Sequence, residues 1–373
     1  MFSVRLTEIA LPAQSNDIDG LIDWVIETLS LVRKRGEETA DKGRAGPVHR
    51  LLKEYLFAHP QHGWDSQMLA EELGLTSASL NHHLKRLVEA GIIGFSTEDK
   101  GWRKYYVRGG SLVNALQFFI SNCSLLAKQR LQTLEELWSR DPQSLPLELP
   151  EDEHALFSIG LCDMRPLSTE SGADELCQWM GDFGLLGERP GKELVKGSVS
   201  SSIFRCMLER NEPLSIDEAH EMFGGQKARL GRIMERFRSS GMVERVARTD
   251  RLPVSLWAAM TSQYQKRGEN WLLKKGGFQR ILSNEQQNNI LAKLSSQSLS
   301  VDDVEKAVEG IDATEQMLLL NLLGGRLPLG YRLAGREPKD ITKRVMHRLE
   351  RLFSRFERVA RNLDSLLLSN EES

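Results

Sequence analysis

Cysteine is scarce in this chain, and long apolar runs are missing. Four cysteines occur among 373 residues, with no Cys-x-x-Cys pair and no histidine cluster beside them. This pattern argues against a structural zinc site and against a disulfide framework, and a reducing cytoplasm is the expected compartment. No stretch of about 18 uninterrupted apolar residues occurs, and no basic start leads into an apolar run. We therefore expect neither export nor a membrane span.

Familiar catalytic motifs are also missing. The sequence contains no GxxxxGKS/T, GxSxG or HExxH pattern, and Gly324-Gly325 lacks the strand-turn-helix context that phosphate binding requires. His82-His83 invites a metal interpretation, but adjacent helical residues point about 100° apart and do not easily share one ion. We expect a protein without catalysis, without a cofactor and without a bound metal.

A net charge of −3 conceals an uneven distribution of charge along the chain. Between Glu135 and Glu193 there are about 14 acidic residues and 4 basic ones, whereas Arg205 to Arg267 contains about 12 basic and 8 acidic residues. A basic segment favours contact with nucleic acid, and the acidic segment is expected to lie away from it.

One apolar pattern occurs twice, at a constant offset of about 150 residues. Its positions are Leu80, Leu84, Leu87, Gly91 and Ile92-Ile93 in the first copy, and Leu230, Met234, Phe237, Gly241 and Met242-Val243 in the second. The offset also relates Leu56-Phe57 to Cys206-Met207, Leu73-Gly74 to Phe223-Gly224, and Tyr106-Val107 to Leu256-Trp257. Each copy predicts a helix with one buried stripe, a glycine stop and a short hairpin. That order is typical of a winged helix-turn-helix.

The first copy, residues 46–110, has clear start signals for its helices. Asp65 is a predicted cap, and Thr76 is expected to cap the recognition helix that follows the turn after Gly74. Residues expected to face outward and to contact DNA are Ser77, Asn81, His82, Lys85 and Arg86. The predicted wing, residues 92–107, turns at residues 98–101 and carries the candidate DNA contacts Lys100, Arg103 and Lys104.

The segment LGLTSASLNHHLKRLVEAGII, residues 73–93, resembles the helix-turn-helix of ArsR-like winged-helix transcriptional regulators. The resemblance covers residues 47–108, about a sixth of the chain, with a weaker second copy at 198–257. It implies that Ser77, Asn81 and His82 face the major groove, that Asn81 pairs with adenine, and that basic wing residues reach phosphates. Protein docking is the alternative, because winged helices are reused for that purpose.

The second copy, residues 198–267, carries more positive charge. Its candidate DNA contacts on the recognition helix are Lys227, Arg229, Arg232 and Arg236. A wing is predicted at residues 243–257, where Arg248 is a further candidate contact beside Arg245 and Arg251. Gly231 stands where the first copy has Asn81, so this helix has few groups that read bases. We expect a phosphate clamp more than a sequence reader, with an ordinary solvated face as the alternative.

The remaining segments are predicted mainly from helical periodicity. They comprise an N-terminal helix with a linker (1–45), a long helix for dimerisation or monomer packing (111–140), an acidic helical connector (141–197), a helical domain that a degenerate winged unit would also fit (268–336), and a C-terminal heptad helix (337–373). Heptad positions are Val345, Leu349, Leu352, Phe356, Val359, Leu363 and Leu366.

The heptad helix requires a partner for its apolar seam. We expect a homodimer interface at Leu349, Leu352, Phe356 and Val359. Two alternatives stay open: packing within the chain's own bundle, and a surface for DNA or an acidic partner formed by the basic residues between the seam positions.

Together these patterns predict a mainly α protein with small β-hairpin wings and tandem winged helix-turn-helix domains. The expected function is that of a cytoplasmic, homodimeric transcriptional regulator that binds double-stranded DNA. A protein partner that binds through the C-terminal heptad helix stays open as an alternative to the homodimer. The alternative from another class is a docking subunit of a chromosome-condensing or RNA polymerase-associated complex.

Overall fold

The computed structural model describes residues 1–14, 16–32, 46–97, 103–139, 156–165, 174–187 and 194–371. The chain begins with strand β1 (Ser3–Thr7), which the sequence patterns did not predict, and with helix α1 (Ile18–Thr28), which they did. The apolar face of α1 packs into the core, where Trp24 lies with its ring centroid 4.9 Å from that of Phe356. The linker predicted after α1 lies mostly outside the described residues.

The first helix-turn-helix follows with the predicted caps. Its elements are α2 (Pro47–Arg50), which continues as a π-helical turn (Leu51–Leu56), then β2 (Trp64–Asp65), α3 (Ser66–Glu72), α4 (Ser77–Glu89), β3 (Ile93–Ser96) and β4 (Lys104–Val107). The Asp65 carboxylate accepts from the first-turn amides of α3, and the Thr76 hydroxyl accepts from the Ser79 amide at 3.2 Å. Gly91, at φ 74°, ends the α4 turn as expected. The strands form an antiparallel sheet in the order β2-β4-β3.

Helix α5 (Leu112–Leu137) confirms the predicted long helix, and Ser111 caps its first turn. The second half then repeats the order of the first: β5 (Ser158–Cys162), α6 (Glu175–Asp182), α7 (Val199–Glu209), α8 (Ile216–Phe223), α9 (Lys227–Ser239) and β6 (Val243–Ala247). Strand β5 pairs antiparallel with β1, so the two halves share one small sheet. The connector was expected to be helical, and the strand within it was missed.

The hairpin predicted at residues 243–257 is wrong. After β6 the chain enters helices α10 (Leu252–Arg267), α11 (Glu269–Lys274), α12 (Phe278–Ile281), α13 (Asn284–Ser295), α14 (Val301–Val308) and α15 (Ala313–Leu322) before it returns as β7 (Leu329–Leu333). Strand β7 is the antiparallel partner of β6, with Arg245 opposite Tyr331. Residues 248–328, which we call the insert, therefore lie between the two strands of one hairpin.

The insert folds around a separate core because α10 is amphipathic. Leu252, Leu256 and Met260 are 0–1% exposed and pack on apolar residues of α11 to α15. Within residues 268–336, all of which are described, no strand pairs with another strand of the same segment, so the degenerate winged unit considered there is not formed. None of the described helices is long and apolar enough to cross a membrane.

The C-terminal helix α16 (Pro338–Glu371) runs antiparallel to α5. The Val113 amide at the start of α5 donates to the Asp364 carboxylate near the end of α16 at 3.3 Å, and the rings of Phe119 and Phe356 meet midway, with centroids 5.5 Å apart. The residues expected at a dimer interface, Leu349, Leu352, Phe356 and Val359, are 0–1% exposed within this single chain.

The interface prediction is therefore corrected. The heptad seam packs on α5 and on the rest of the chain's own core, because a seam specifies a partner helix but not the chain that supplies it. The basic residues of α16 are also engaged: Arg348, Arg351 and Arg355 surround the carboxylate of Glu8, whose side chain is only 8% exposed. Burial opposes the ionisation of Glu8, but hydrogen bonds from Arg351 and Arg348 outweigh it and lower the pKa.

Candidate nucleic-acid interface

Helix α4 presents a polar face to solvent over a fully buried stripe. Leu80, Leu84 and Leu87 are 0–1% exposed and fix the rotation of the helix on the core. The opposite face is exposed at Ser77, Ala78, Asn81, His82 and Lys85. Because the Thr76 cap holds the first turn, the short polar side chains lie at the helix end that reads bases in helix-turn-helix proteins.

Arg86 does not project outward as expected. Its Nη1 atom donates to the carbonyls of Ser30 at 3.0 Å and Leu31 at 2.7 Å, in the segment that follows α1. Ser30 has φ 50°, an uncommon value for a residue with a side chain. Arg86 therefore anchors the C-terminal half of α4 to the body of the protein and positions the helix.

His83 lies on the flank of α4 and is half-buried. Burial lowers its pKa, and the neighbouring His82 and Arg86 lower it further. The imidazole is therefore neutral near pH 7, which fits packing at the edge of the core better than contact with a phosphate. His82 is exposed and remains available at the surface.

The first wing combines a cation with exposed aromatic surface. The guanidinium of Arg103 lies 4.8 Å from the centroid of Phe95, a ring that is 43% exposed on the adjacent strand. Lys104 opens β4 opposite Ser96 and is half-buried. Lys100, predicted for the tip, lies outside the described residues. Among the wing residues that the structure describes, Arg103 is an exposed cation whose guanidinium is held against the Phe95 ring.

Helix α9 presents cations where α4 presents polar groups. Lys227, Arg229 and Arg232 are exposed, and the Lys227 ammonium lies 2.7 Å from the carboxylate of Asp217. An exposed pair of this kind contributes little and exchanges readily for a phosphate. Arg236 is half-buried, and its Nη1 donates to the Leu185 carbonyl at 3.4 Å, in the segment after α6.

Arg248, also predicted to contact DNA, is instead a buried structural residue. It is 3% exposed and donates to the Pro213 carbonyl and to the carboxylates of Glu218 and Asp250, the last at 2.7 Å. Burial opposes the charge on Glu218, but the hydrogen bonds from Arg248 and from the Ser215 amide lower its pKa to about 2. This ion pair joins α8 to the first turn of the insert.

A cleft of about 310 Å³ lies where the two halves meet, and sequence reasoning did not predict it. Its walls include His82, Lys85 and Arg86 of α4, Arg5 of β1, and, from the second half, Gly160, Arg165, Gly184 and Gly187. Glu89 is the acidic residue of the lining and lies 3.7 Å from Lys85. The cleft is therefore predominantly basic, and it continues the exposed face of α4 toward the second half.

The chain matches a known protein family over a short segment. Residues 67–93, which comprise most of α3, all of α4 and the first residue of β3, match a family described as winged helix-turn-helix DNA-binding. No curated protein and no solved structure gives a significant match. The matched residues include every exposed α4 side chain named above. The chain thus contains a winged helix-turn-helix DNA-binding element at residues 67–93, and this element suggests that DNA is the partner.

Proposed function

We propose that the protein is a DNA-binding transcriptional regulator with two winged helix-turn-helix units in tandem. In the first unit, α4 enters the major groove of duplex DNA, as in ArsR-like regulators, and Asn81 pairs with adenine while Arg103 and Lys104 contact phosphates. In the second unit, α9 clamps the phosphate backbone. We place the protein in the cytoplasm in this proposal, where it acts on DNA.

One observation carries the first part of the proposal. The family match falls on the helix whose exposed face is a row of small polar and basic side chains, and the apolar stripe beneath holds that face outward. A helix presented in this way fits the major groove, where an asparagine amide can satisfy both the N6 and the N7 positions of adenine.

The second unit is supported by its element order. Helices α7, α8 and α9 precede β6, as α2, α3 and α4 precede β3. A bridge between Leu214 and Tyr331 also places a third strand segment beside β7, as β2 lies beside β4 in the first unit. Exposed Arg229 and Arg232 on α9 supply charge without the short polar side chains of α4.

A docking subunit of a chromosome-condensing or polymerase-associated complex is the second candidate. The insert favours it, because a helical module occupies the position of the second wing. Next to the hairpin, its surface is lined by four acidic residues and one basic residue, so it is negative on balance and would repel phosphates; these are Asp250, Asp302, Glu305, Glu309 and Lys306. In this alternative the insert grips a protein, and binding to DNA is weak.

Selection of duplexes from a random pool by the full-length chain tests the proposal. We expect enrichment of a consensus and a log affinity that falls steeply with log salt. Asn81→Ala should relax the preference at about one base pair, by roughly 1–3 kcal/mol. Asn289→Ala, which changes an exposed asparagine on α13, is the matched control and should leave the consensus unchanged.

The result that overturns the proposal is the absence of both features. If the chain enriches no sequence and its affinity for duplex is weak and insensitive to salt, the docking alternative replaces DNA regulation. Enrichment that is identical for wild type and Asn81→Ala would remove α4 as the reader.

A further inference from the structure

The register of the shared sheet relates the two halves by a local two-fold axis. Strands β1 (SVRLT) and β5 (SIGLC) have matching sequences, in which Ser3 corresponds to Ser158 and Leu6 to Leu161. In this alignment Arg5 corresponds to Gly160, and these two residues pair directly at the centre of the antiparallel ladder. Two equivalent strands paired about their equivalent central residues define a two-fold axis through that pair.

The helices on either side obey the same relation. Trp24 in α1 and Trp179 in α6 are separated by as many residues as Ser3 and Ser158, and both are 3% exposed. A backbone turn with positive φ follows each helix, at Ser30 (50°) and Gly184 (72°). Arg86 of α4 donates to the first of these turns, and Arg236 of α9 donates to the Leu185 carbonyl in the second. Both recognition helices are thus anchored to the body in the same way.

The long helices complete the relation. Helices α5 and α16 each follow the hairpin of their half and pack antiparallel against one another, as helices that lie across a two-fold axis do. The ring centroid of Phe2 lies 6.3 Å from that of Phe119 of α5, and the guanidinium of Arg348 of α16 lies 5.0 Å from the ring centroid of Phe157, so both helices pack on one face beside the sheet. Arg5, which alternates with Val4 and Leu6 along β1, lines the cleft. One chain therefore contains the arrangement that a homodimer builds from two.

We propose that a single chain grips one duplex with α4 and α9 in two adjacent major-groove segments, and that the bound site carries sequence information at one end only. This inference rests on the proposed DNA-binding function. The partner is a duplex with two unlike half-sites, and no second copy of the chain takes part.

The positions of α4 and α9 support simultaneous contact. Helix α4 contacts β1 and α9 contacts β5, so the two helices flank the axis. Exposed His82 and Lys85 of α4 border the cleft on the axis, and Arg236 of α9 lies against Gly187 on its far side. Arg86 and Arg236 anchor the C-terminal halves of the two helices to the body beside the axis. The proposal directs their N-terminal halves toward two major-groove segments that are about 34 Å apart in B-DNA.

The two half-sites are unlike because the two helices differ at equivalent positions. Asn81 and His82 correspond to Gly231 and Arg232, so a base-reading amide on α4 has no counterpart on α9. Lys85 corresponds to Glu235, which places a carboxylate on the second helix. The first half therefore discriminates bases, and the second contributes mainly backbone contacts.

Site-directed cleavage of DNA tests the inference. Ala78 and Ala228 occupy equivalent exposed positions on α4 and α9, and each is replaced by cysteine in a Cys206→Ser background. The other native cysteines are 0–1% exposed. An iron-EDTA cleavage reagent is attached, and the probe is a duplex that the full-length chain enriches from a random pool. Ser354→Cys, at an exposed position of α16, is the control.

We expect one cluster of cuts from each helix position, centred about 10 base pairs apart on one face of the duplex. Native mass spectrometry should show one chain per duplex, and the control position should not cut. Two symmetric clusters from each position, or two chains per duplex, would overturn the inference and leave DNA binding intact. Cuts from Ala78→Cys alone would also overturn it. Failure to bind any duplex would instead reject the proposed function.

Discussion

Helices α4 and α9 occupy equivalent places in the two halves, yet their exposed faces differ in chemistry. Both have a buried apolar stripe, both end at a glycine with positive φ, and both are tied to the body through an arginine, Arg86 or Arg236. On the exposed faces, Ser77 is replaced by Lys227, Asn81 by Gly231 and His82 by Arg232. The comparison teaches that the fold sets the position of each helix on the body of the protein. A few exposed side chains set what each helix recognises in the proposed function.

The hairpins next to these helices differ even more. In the first half, β3 and β4 form a short wing with Arg103 stacked on Phe95. In the second half, β6 and β7 are separated by the insert, and the buried Arg248 secures its first turn. The hairpin that we propose to contact DNA in the first half thus has a counterpart in the second half that carries a helical module, and this difference separates the roles that we propose for the two halves.

The largest effect is expected from breaking the ion pair that holds the insert. Arg248→Ala leaves the carboxylate of Glu218 without its closest cation and should reduce the free energy of unfolding by about 3–5 kcal/mol. Arg251→Ala is the control, because its side chain is 53% exposed and it contacts the same glutamate. Urea denaturation measures both, and equal losses would show that the buried pair has no special role.

The next effect tests whether the two halves share one core. Leu352→Ala removes a fully buried side chain between them and should cost about 3 kcal/mol, with loss of hydrogen-exchange protection in both α4 and α9. Leu368→Ala on the same helix, where the leucine is 65% exposed, should change little. Loss of protection in one half alone would mean that the halves are independent domains.

The ion pair between Arg248 and Glu218 also predicts that the free energy of unfolding depends on pH. The pKa of Glu218 is about 2 in the folded chain and higher when unfolded, so its carboxylate stabilises the fold above about pH 4.5. That contribution, on the order of 2–3 kcal/mol, should be lost as the pH falls from about 4.5 to 2. Glu218→Gln should remove this contribution and so flatten the profile, and Glu221→Gln, at an exposed position of α8, should leave the profile as in the wild type. A wild-type profile that Glu218→Gln leaves unchanged would contradict the assignment.

The smallest effect concerns the glycine within α9. Gly231 has helical backbone, and a Cβ there would meet the Ile216 methyl at 3.5 Å, an ordinary contact. Gly231→Ala should therefore stabilise the chain by up to about 1 kcal/mol without changing the preferred DNA sequence. Thermal denaturation measures the gain. A change in the consensus would show that this position touches bases, contrary to the proposed division of roles.

Local features of the fold were predictable from the sequence, and distant pairings were not. The Thr76 cap, the stripe through Leu84 and the stop at Gly91 all act within a few residues, so periodicity and cap chemistry reveal them. The β6–β7 pairing joins strands on either side of the whole insert. A pattern of a few residues does not predict a strand partner that lies so far along the chain. The hairpin predicted at residues 243–257 was wrong for this reason.

The site was predictable to a similar extent. Exposure of Asn81, His82, Arg229 and Arg232 follows from helical periodicity, because the buried stripes fix the opposite faces. The burial of Arg248 depends on Glu218, whose position relative to it is set by tertiary packing. The basic cleft is assembled from segments of both halves that no sequence motif connects. Charge along the sequence thus located candidate helices but could not distinguish a surface arginine from a structural one.

The most direct test of the proposed difference between α4 and α9 compares two double variants in duplex selection and salt titration. Arg229→Ala with Arg232→Ala should lower the affinity for selected and random duplexes by similar factors, flatten the log-log salt slope by up to about two units and leave the consensus intact. Asn81→Ala with His82→Ala should instead weaken or erase the consensus while random binding persists. Loss of the consensus in the α9 variant, with the consensus retained in the α4 variant, would contradict the account.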